Sequence, residues 1–209
     1  TDLAKKNWSR IAKTIVLENE GDLVGIAALR EEWVFEGFDL DKEFPWLIVI
    51  GVAMDFDEFA AAPSSDTDTR SALEVADKYN QGARCAAQLS NWVRGHGFNA
   101  KPHVGPWAGS ITLTPAAIEA GFGELGDHGN IINDQYGSCF RLAAVSTDLP
   151  LVADKPKKFG VDDYCMHCEA CNNACPAGAI STEKQWVRGV EKYYVDFDKC
   201  LPYFNETHG

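Results

Sequence analysis

Four of the seven cysteines lie within eleven residues, at Cys165, Cys168, Cys171 and Cys175, and Pro176 follows the last of them. This C-x2-C-x2-C-x3-C-P spacing is the ligand run of bacterial ferredoxins, in which the fourth cysteine serves a second cluster. Two-residue steps allow three thiolates to surround one corner of an iron–sulfur cubane. The run therefore predicts at least one iron–sulfur cluster.

Two alternatives stay open at this point. Structural zinc also uses Cys-x2-Cys pairs, but a zinc site usually joins two separated pairs, whereas this run is continuous. Cys200 lies where a two-cluster domain would begin its second ligand set. We expect the chain to be a fragment of such a domain. The alternative to a fragment is a domain with a single cluster that is closed by Cys175. The alternative role for Cys200 is that of an ordinary buried thiol.

Charge and composition limit the partners. The net charge of −12 disfavours a nucleic-acid partner, because phosphate binding rests on Lys and Arg. No apolar run approaches the roughly 20 residues of a membrane span. The first residues show no secretory pattern, and the crowded cysteines favour metal ligation over disulfides. These observations predict a cytoplasmic protein without a membrane span.

The apolar pattern predicts a mixed α+β fold with layers of helix and sheet. The predicted elements are a helix to about residue 19, a strand over 46–54, a long helix over 69–94, a short extended piece over 100–104, a short helix over 115–120 and a strand over 139–146. Asp66 or Asp68 is the expected N-cap of the long helix. We expect the glycine-rich residues 121–130 to be irregular and residues 148–158 to form a linker. The predicted domains are therefore 1–158 and 159–209.

Several segments together resemble one protein family. They are KYNQGARCAAQLSNWVRGHGFNA, AAIEAGFGELGDHGNIINDQYGSCFRLAAVSTDLPL, the cysteine run and VEKYYVDFDKCLPYFNETHG. From about Trp46 to its end the chain is similar to the reductive dehalogenases, and most similar to their catabolic, non-respiratory branch. It resembles epoxyqueuosine reductase more distantly.

The resemblance implies a fold and a set of cofactors. Residues 1–158 would form a nitroreductase-like, cobalamin-binding catalytic core that lacks part of its N-terminal region. Residues 159–209 would form a ferredoxin-like unit, truncated at its C-terminus, which in complete form holds two 4Fe-4S clusters. Cys175 and Cys200 would ligate one cluster. Cys165, Cys168 and Cys171 would ligate the other, with one ligand missing.

The resemblance also implies a reaction. Base-off cobalamin, reduced to Co(I) by the clusters, would remove halide from an organohalide such as a halogenated aromatic compound. Electrons would come from a ferredoxin, a flavodoxin or a fused reductase domain. The alternatives are a tRNA-modifying enzyme similar to epoxyqueuosine reductase, and a non-catalytic iron–sulfur electron carrier.

Replacing a carbon–halogen bond by carbon–hydrogen needs a proton donor. The resemblance assigns this role to Tyr79, on the long helix, supported by Arg141. On a helix Tyr79 shares a face with four small or apolar residues, Val75, Ala76, Ala83 and Ala86, which leave room for a bulky neighbour. Arg141 would stabilise the phenolate that remains after proton transfer. The alternatives are core packing for Tyr79 and a surface or carboxylate-paired position for Arg141.

The segment NDQYGS supplies the candidate cobalamin contacts Asn133, Gly137 and Ser138. Glycine permits the backbone to approach a ligand closely, so these residues could direct N–H groups at the amide side chains of the corrin. An ordinary tight turn explains the same residues nearly as well.

Overall fold

The computed structural model describes residues 1–39, 43–106, 108–187 and 190–207, and for residues 205–207 it describes the backbone alone. Contacts between Cα atoms divide the chain into two compact units. Unit 1 contains residues 1–122 and 139–157, and unit 2 contains residues 123–138 and 158–209. The contacts thus group residues 123–138 with the cysteine-bearing segment. The domain limits 1–158 and 159–209 remain a prediction.

Unit 1 is built on an antiparallel sheet of four strands. From one edge of the sheet to the other, its strands are β1 (Leu23–Ala28), β2 (Trp46–Ala53), β6 (Phe140–Thr147) and β3 (Ala100–His103). The elements of unit 1 are α1 (Asp2–Glu18), β1 (Leu23–Ala28), a 3₁₀ turn (Glu31–Trp33), β2 (Trp46–Ala53), α2 (Phe56–Phe59), α3 (Arg70–Gly95), β3 (Ala100–His103), α4 (Leu113–Glu119) and β6 (Phe140–Thr147). A helix-covered antiparallel sheet is an α+β arrangement, as predicted. The predicted helices and strands of this unit are confirmed.

The core lies on both faces of the sheet. Residues 47–52 of β2 are all buried, which is the pattern of a strand covered on both sides. On one face Ile48, Ile50 and Val52 belong to the same apolar cluster as residues of α1 and α3. On the other face, a Cβ added at Gly51 would lie 2.9 Å from the Phe122 ring. Strand β2 is therefore the rigid centre of unit 1.

Of the residues predicted to form a linker, 148–158, the first part, 148–154, belongs to unit 1 and contacts its core. Leu149 and Leu151 are almost completely buried in the core cluster. Asp154 accepts a hydrogen bond from the Ile26 N–H with its carboxylate and donates its own N–H to the Ile26 carbonyl, both at 2.8 Å. The linker prediction is therefore wrong for residues 148–154, because Leu149 and Leu151 pack into the core of unit 1. Composition alone does not predict this packing.

Two smaller expectations also need correction. The N-cap of α3 is Thr69 rather than Asp66 or Asp68, although the Asp68 carboxylate accepts a hydrogen bond from the Arg70 N–H at 3.1 Å. The glycine-rich residues 121–130 are not wholly irregular. They contain β4 (Glu124–Leu125), which pairs with β5 (Ile131–Ile132).

Unit 2 holds the cysteine run. Besides β4 and β5, it contains α5 (Val161–Cys168), α6 (Ala170–Ala174), the antiparallel hairpin β7 (Ile180–Val187) and β8 (Val190–Val195), and α7 (Phe197–Thr207). Among the described residues, no helix is both long and apolar enough to cross a lipid bilayer.

Candidate functional site

Tyr79 lies on α3, which packs against the sheet of unit 1. A Cβ added at Gly82, one turn further along, would lie 3.3 Å from Ala143 Cβ and 3.7 Å from Val52 Cγ2. Gly82 is buried and Tyr79 is half-buried. Because Gly82 has no side chain, α3 packs closely against β2 and β6 one turn away from Tyr79.

The predicted helix face around Tyr79 runs from the core to the surface. Ala86 is buried, Val75 and Ala83 are half-buried, and Ala76 is exposed. Because these side chains are small or short, they leave the surface next to the phenol uncrowded. Tyr79 therefore lies at the edge of the core, next to small side chains.

Arg141 lies beside Tyr79. In the β2–β6 register it is opposite Val52, and Ala143 is opposite Ile50, so Arg141 and Ala143 point to the face that α3 covers. The guanidinium carbon of Arg141 is 5.5 Å from the centre of the Tyr79 ring. The structure thus brings together the two residues that the sequence suggested.

Phe59, which the sequence analysis did not select, completes this group. Its ring centre lies 5.7 Å from the Arg141 guanidinium carbon. Arg141 Nε is buried and has no hydrogen-bond partner within the described part of the chain. A buried N–H donor without a partner is uncommon and costly, so this atom is a candidate contact for a bound ligand.

Hydrogen bonds fix the helix that carries Phe59. The Asp55 carboxylate caps α2 by accepting hydrogen bonds from the N–H groups of Asp57 and Glu58. The Asp55 N–H itself donates to the Glu74 carboxylate on α3 at 2.6 Å. Helix α2 is therefore tied to α3, and Phe59 and Tyr79 are held on two connected elements.

The candidate cobalamin contacts lie in unit 2, in one tight turn. The backbones of Asn133 and Gly137 exchange hydrogen bonds of 2.8 and 3.0 Å, and the Asn133 carboxamide oxygen accepts from the N–H groups of Gln135 and Tyr136. Ser138 donates its hydroxyl to the Ile131 carbonyl. These side chains build the turn. Gly137, at φ +56°, has nothing within 4 Å of an added Cβ, which leaves its backbone open to a ligand.

The cysteines of the run are distributed over two short helices. Cys165 and Cys168 lie on α5 and Cys171 on α6, whereas Cys175 follows α6 in an extended conformation. Cys200 lies on α7. All seven cysteines of the chain have free thiols, so the five candidates are available as ligands.

Backbone donors surround the sulfur of Cys175. Burial raises the pKa of this thiol, but the N–H groups of Ala179, Ala177, Ile180 and Gly178 act more strongly together, and the pKa falls below its ordinary value. The Ala179 N–H lies 3.4 Å from the sulfur. Because the thiolate is the form that binds metal, this nest of N–H groups fits a ligand of an iron–sulfur cluster.

Cys165 and Cys171 share a different environment. Burial is the main cause that raises the pKa of both thiols, and the buried carboxylate of Asp127 adds to it. The backbone N–H of Asp127 acts to lower the pKa of the Cys165 thiol, and the backbone N–H of His128 acts to lower the pKa of the Cys171 thiol. Neither role could be predicted from the sequence, because Asp127 and His128 lie in a glycine-rich turn that gives no sign of its cysteine neighbours.

The described residues contain no group of three or more His, Cys, Asp or Glu side chains that is arranged to hold a single metal ion. In a cubane cluster each cysteine binds a different iron atom, so its ligands surround a cage rather than one point. The free thiols and their N–H donors fit such a cluster.

Comparison with known proteins agrees with these features. Residues 164–203 match the family model of the 4Fe-4S dicluster domain. The chain is 34% identical over 192 residues to a tetrachloroethene reductive dehalogenase of Desulfitobacterium hafniense, covering 86% of this chain and 33% of the relative. Over 118 residues it is 35% identical to the epoxyqueuosine reductase of Escherichia coli, covering 56% of this chain and 27% of that protein.

The solved structures extend the similarity to the fold. The catabolic reductive dehalogenase NpRdhA, which has been solved also in complex with 3-bromo-4-hydroxybenzoic acid, superimposes with a TM-score of 0.85 at 26% identity. The match covers 95% of this chain and 29% of NpRdhA. The chain thus spans about a third of the length of the relatives it matches. Over that length, the chain is similar to the reductive dehalogenases in both sequence and fold.

Proposed function

We propose that this chain carries the proton donor and the iron–sulfur ligands of a reductive dehalogenase. The observation that carries the proposal is the contact between Tyr79 and Arg141, in a chain whose relatives are named reductive dehalogenases. The assignment of residues 1–158 as a nitroreductase-like, cobalamin-binding domain is part of this proposal, as is the cytoplasmic location.

The reaction replaces halide by hydrogen, and it consumes two electrons and one proton while it releases one halide ion. When bound, cobalamin would supply the cobalt chemistry that breaks the carbon–halogen bond, and 4Fe-4S clusters held by the cysteines would supply the electrons. The remaining task for the protein is to place a proton donor and to stabilise the charge left on it.

Tyr79 is the proposed donor, through its phenolic Oη. After it gives up the proton, the ring carries negative charge, and the guanidinium of Arg141 stabilises that charge from its place beside the ring. Phe59 contacts the same guanidinium and limits the directions in which it can turn. In this arrangement Tyr79 is catalytic, whereas Phe59 positions Arg141.

The cofactors have proposed ligands in unit 2. Cys175 and Cys200 would ligate one cluster, and Cys165, Cys168 and Cys171 the other. The turn of Asn133, Gly137 and Ser138 would contact the cobalamin through backbone groups, since its side chains already hold the turn itself. A ferredoxin, a flavodoxin or a fused reductase domain would supply the electrons.

The names of the relatives suggest two substrates to test. One is tetrachloroethene, and the other is 3-bromo-4-hydroxybenzoic acid, an aromatic halide. The protein would be reconstituted without oxygen with iron, sulfide and hydroxocobalamin, reduced, and assayed for released chloride or bromide. We expect halide release from at least one of the two. A protein that binds clusters and cobalamin but releases no halide from either would contradict the proposed activity.

A tRNA-modifying function similar to that of epoxyqueuosine reductase is the second candidate. It is favoured by the 35% identity to the enzyme of Escherichia coli. The net charge of −12 and the Tyr79–Arg141 pair favour dehalogenation instead. Titration with a tRNA anticodon stem-loop at several salt concentrations separates the two functions, because phosphate binding must weaken steeply as salt increases. A non-catalytic electron carrier would bind clusters but neither cobalamin nor tRNA.

A further inference from the structure

Residues 123–138, which sequence analysis treated as a glycine-rich turn and a candidate cobalamin contact, are tied to the first of the cysteine helices. The Glu124 carboxylate accepts hydrogen bonds from three consecutive backbone N–H groups, of Phe159, Gly160 and Val161, at 2.5, 3.0 and 3.4 Å. These groups lie at the start of α5, which carries Cys165. A carboxylate at a helix N-terminus is favourable both as a hydrogen-bond acceptor and as a negative charge.

A tight turn follows Glu124 and carries Asp127. The Gly126 N–H donates to the Asn130 carbonyl and the Gly129 N–H to the Gly126 carbonyl, each at 2.9 Å. Gly129 has a φ of +80°, a backbone conformation that favours glycine. The turn is therefore fixed, and so is the position of the residue at its tip.

Asp127 is 4% exposed, which is unusual for a carboxylate. The groups that face it are the thiols of Cys165 and Cys171, the phenol of Tyr193 and the imidazole of His128. None of these four groups is a permanent cation. Among them, therefore, no fixed positive charge offsets the negative charge of Asp127 beside the proposed cluster ligands. The backbone N–H groups of Asp127 and His128 are directed at the same two sulfurs.

We propose that the Gly126–Gly129 turn forms one wall of the cluster site of Cys165, Cys168 and Cys171, and that the Asp127 carboxylate keeps the reduction potential of this cluster low. A cluster gains negative charge when it accepts an electron, and a buried carboxylate beside its ligands opposes that gain. A low potential makes the cluster a stronger reductant, which suits a centre that must reduce a corrinoid. The proposal rests on the cluster binding in the proposed function.

The test is a redox titration of the clusters, followed by electron paramagnetic resonance, in the anaerobically prepared protein. The variant is Asp127→Asn, which removes the charge and keeps the shape. The matched control is Glu183→Gln, which removes one carboxylate charge from an exposed position of the same unit. At a fixed potential we expect the reduced-to-oxidised ratio of one cluster to rise about tenfold in Asp127→Asn, equivalent to about 59 mV for one electron. Glu183→Gln should leave the ratio unchanged.

An equal ratio in the two variants would overturn the role of Asp127 while leaving the proposed function intact. Wild-type protein that assembles no cluster would instead refute the proposed function itself. If Asp127→Asn binds less iron than the wild type, Asp127→Ser serves as a second neutral variant. Loss of iron from both neutral variants, with iron retained in Asp127→Glu, would contradict the proposal, because the charge would then be needed for assembly rather than for the potential.

Discussion

The guanidinium carbon of Arg141 lies 5.5 Å from the centre of the Tyr79 ring, and the same carbon lies 5.7 Å from the ring of Phe59. Contacts of this kind between a cation and an aromatic ring contribute about 0.5–2 kcal/mol each, depending on burial. The guanidinium is thus held by two rings from separate helices, while its buried Nε has no partner among the described residues. The arrangement fits a residue that is kept in place for a ligand or for a charge that develops during reaction.

Replacing Tyr79 by Phe removes only the proton donor. We expect halide release to fall about 100-fold or more, which is the usual contribution of a general acid. Iron and cobalamin contents should match those of the wild type, because the ring and its packing remain. Tyr194→Phe, at an exposed tyrosine of β8, is the control and should keep full activity. Unchanged turnover in Tyr79→Phe would remove Tyr79 from the mechanism.

Replacing Phe59 by Leu tests whether Phe59 positions Arg141. Loss of one cation–π contact, worth about 1 kcal/mol, should lower kcat about fivefold and leave KM nearly unchanged. Phe56→Leu changes an exposed residue of the same short helix and is the matched control. A merely structural role would instead lower the melting temperature and leave kcat unchanged in the folded fraction. That result would contradict the positioning role.

The sequence allowed much of this site to be predicted, and the limits have physical causes. The buried strand at residues 46–53 and the helix with Tyr79 follow from local apolar patterns, and the cysteine run has a spacing that few sites other than clusters use. Phe59 and Asp127 could not be predicted in the same way. Each acts through a contact made by the tertiary fold, and one of them lies on a helix of only four residues.

Replacing Cys175 by Ala should remove one cluster. The sulfur of Cys175 has backbone N–H donors that favour the thiolate, and alanine has no sulfur to bind iron. We expect a lower iron and sulfide content per chain than in the wild type. Cys139→Ala, at a half-buried cysteine of unit 1, should bind as much iron as the wild type. Equal iron contents in the two variants would exclude Cys175 as a ligand.

Replacing Glu124 by Gln weakens the cap of α5. The three N–H groups would lose a charged acceptor, which should lower the free energy of unfolding by about 1–2 kcal/mol. Chemical denaturation followed by circular dichroism measures this change. Glu183→Gln, on the exposed part of β7, should change stability by less than about 0.5 kcal/mol. Equal stability of the two variants would show that the cap contributes nothing.

The burial of Cys85 predicts that the protein loses stability in alkaline solution. Burial in unit 1 raises the pKa of this thiol from its ordinary 9.0 to about 11. The folded state therefore favours the neutral thiol more than the unfolded state does. The stability that this preference contributes is complete below pH 9 and is lost as the pH rises towards 11. In cluster-free protein, the wild type should lose up to about 2 kcal/mol more than Cys85→Ala over this range. Parallel pH profiles would contradict the prediction.

The most direct test of the whole account is a metal and sulfide analysis of the anaerobically prepared protein. The account predicts iron and acid-labile sulfide in equal amounts, with both contents lowered when Cys165, Cys168 and Cys171 are replaced together by Ala. Zinc without sulfide would contradict it, because a protein with such a site could pass no electrons to a dehalogenating centre.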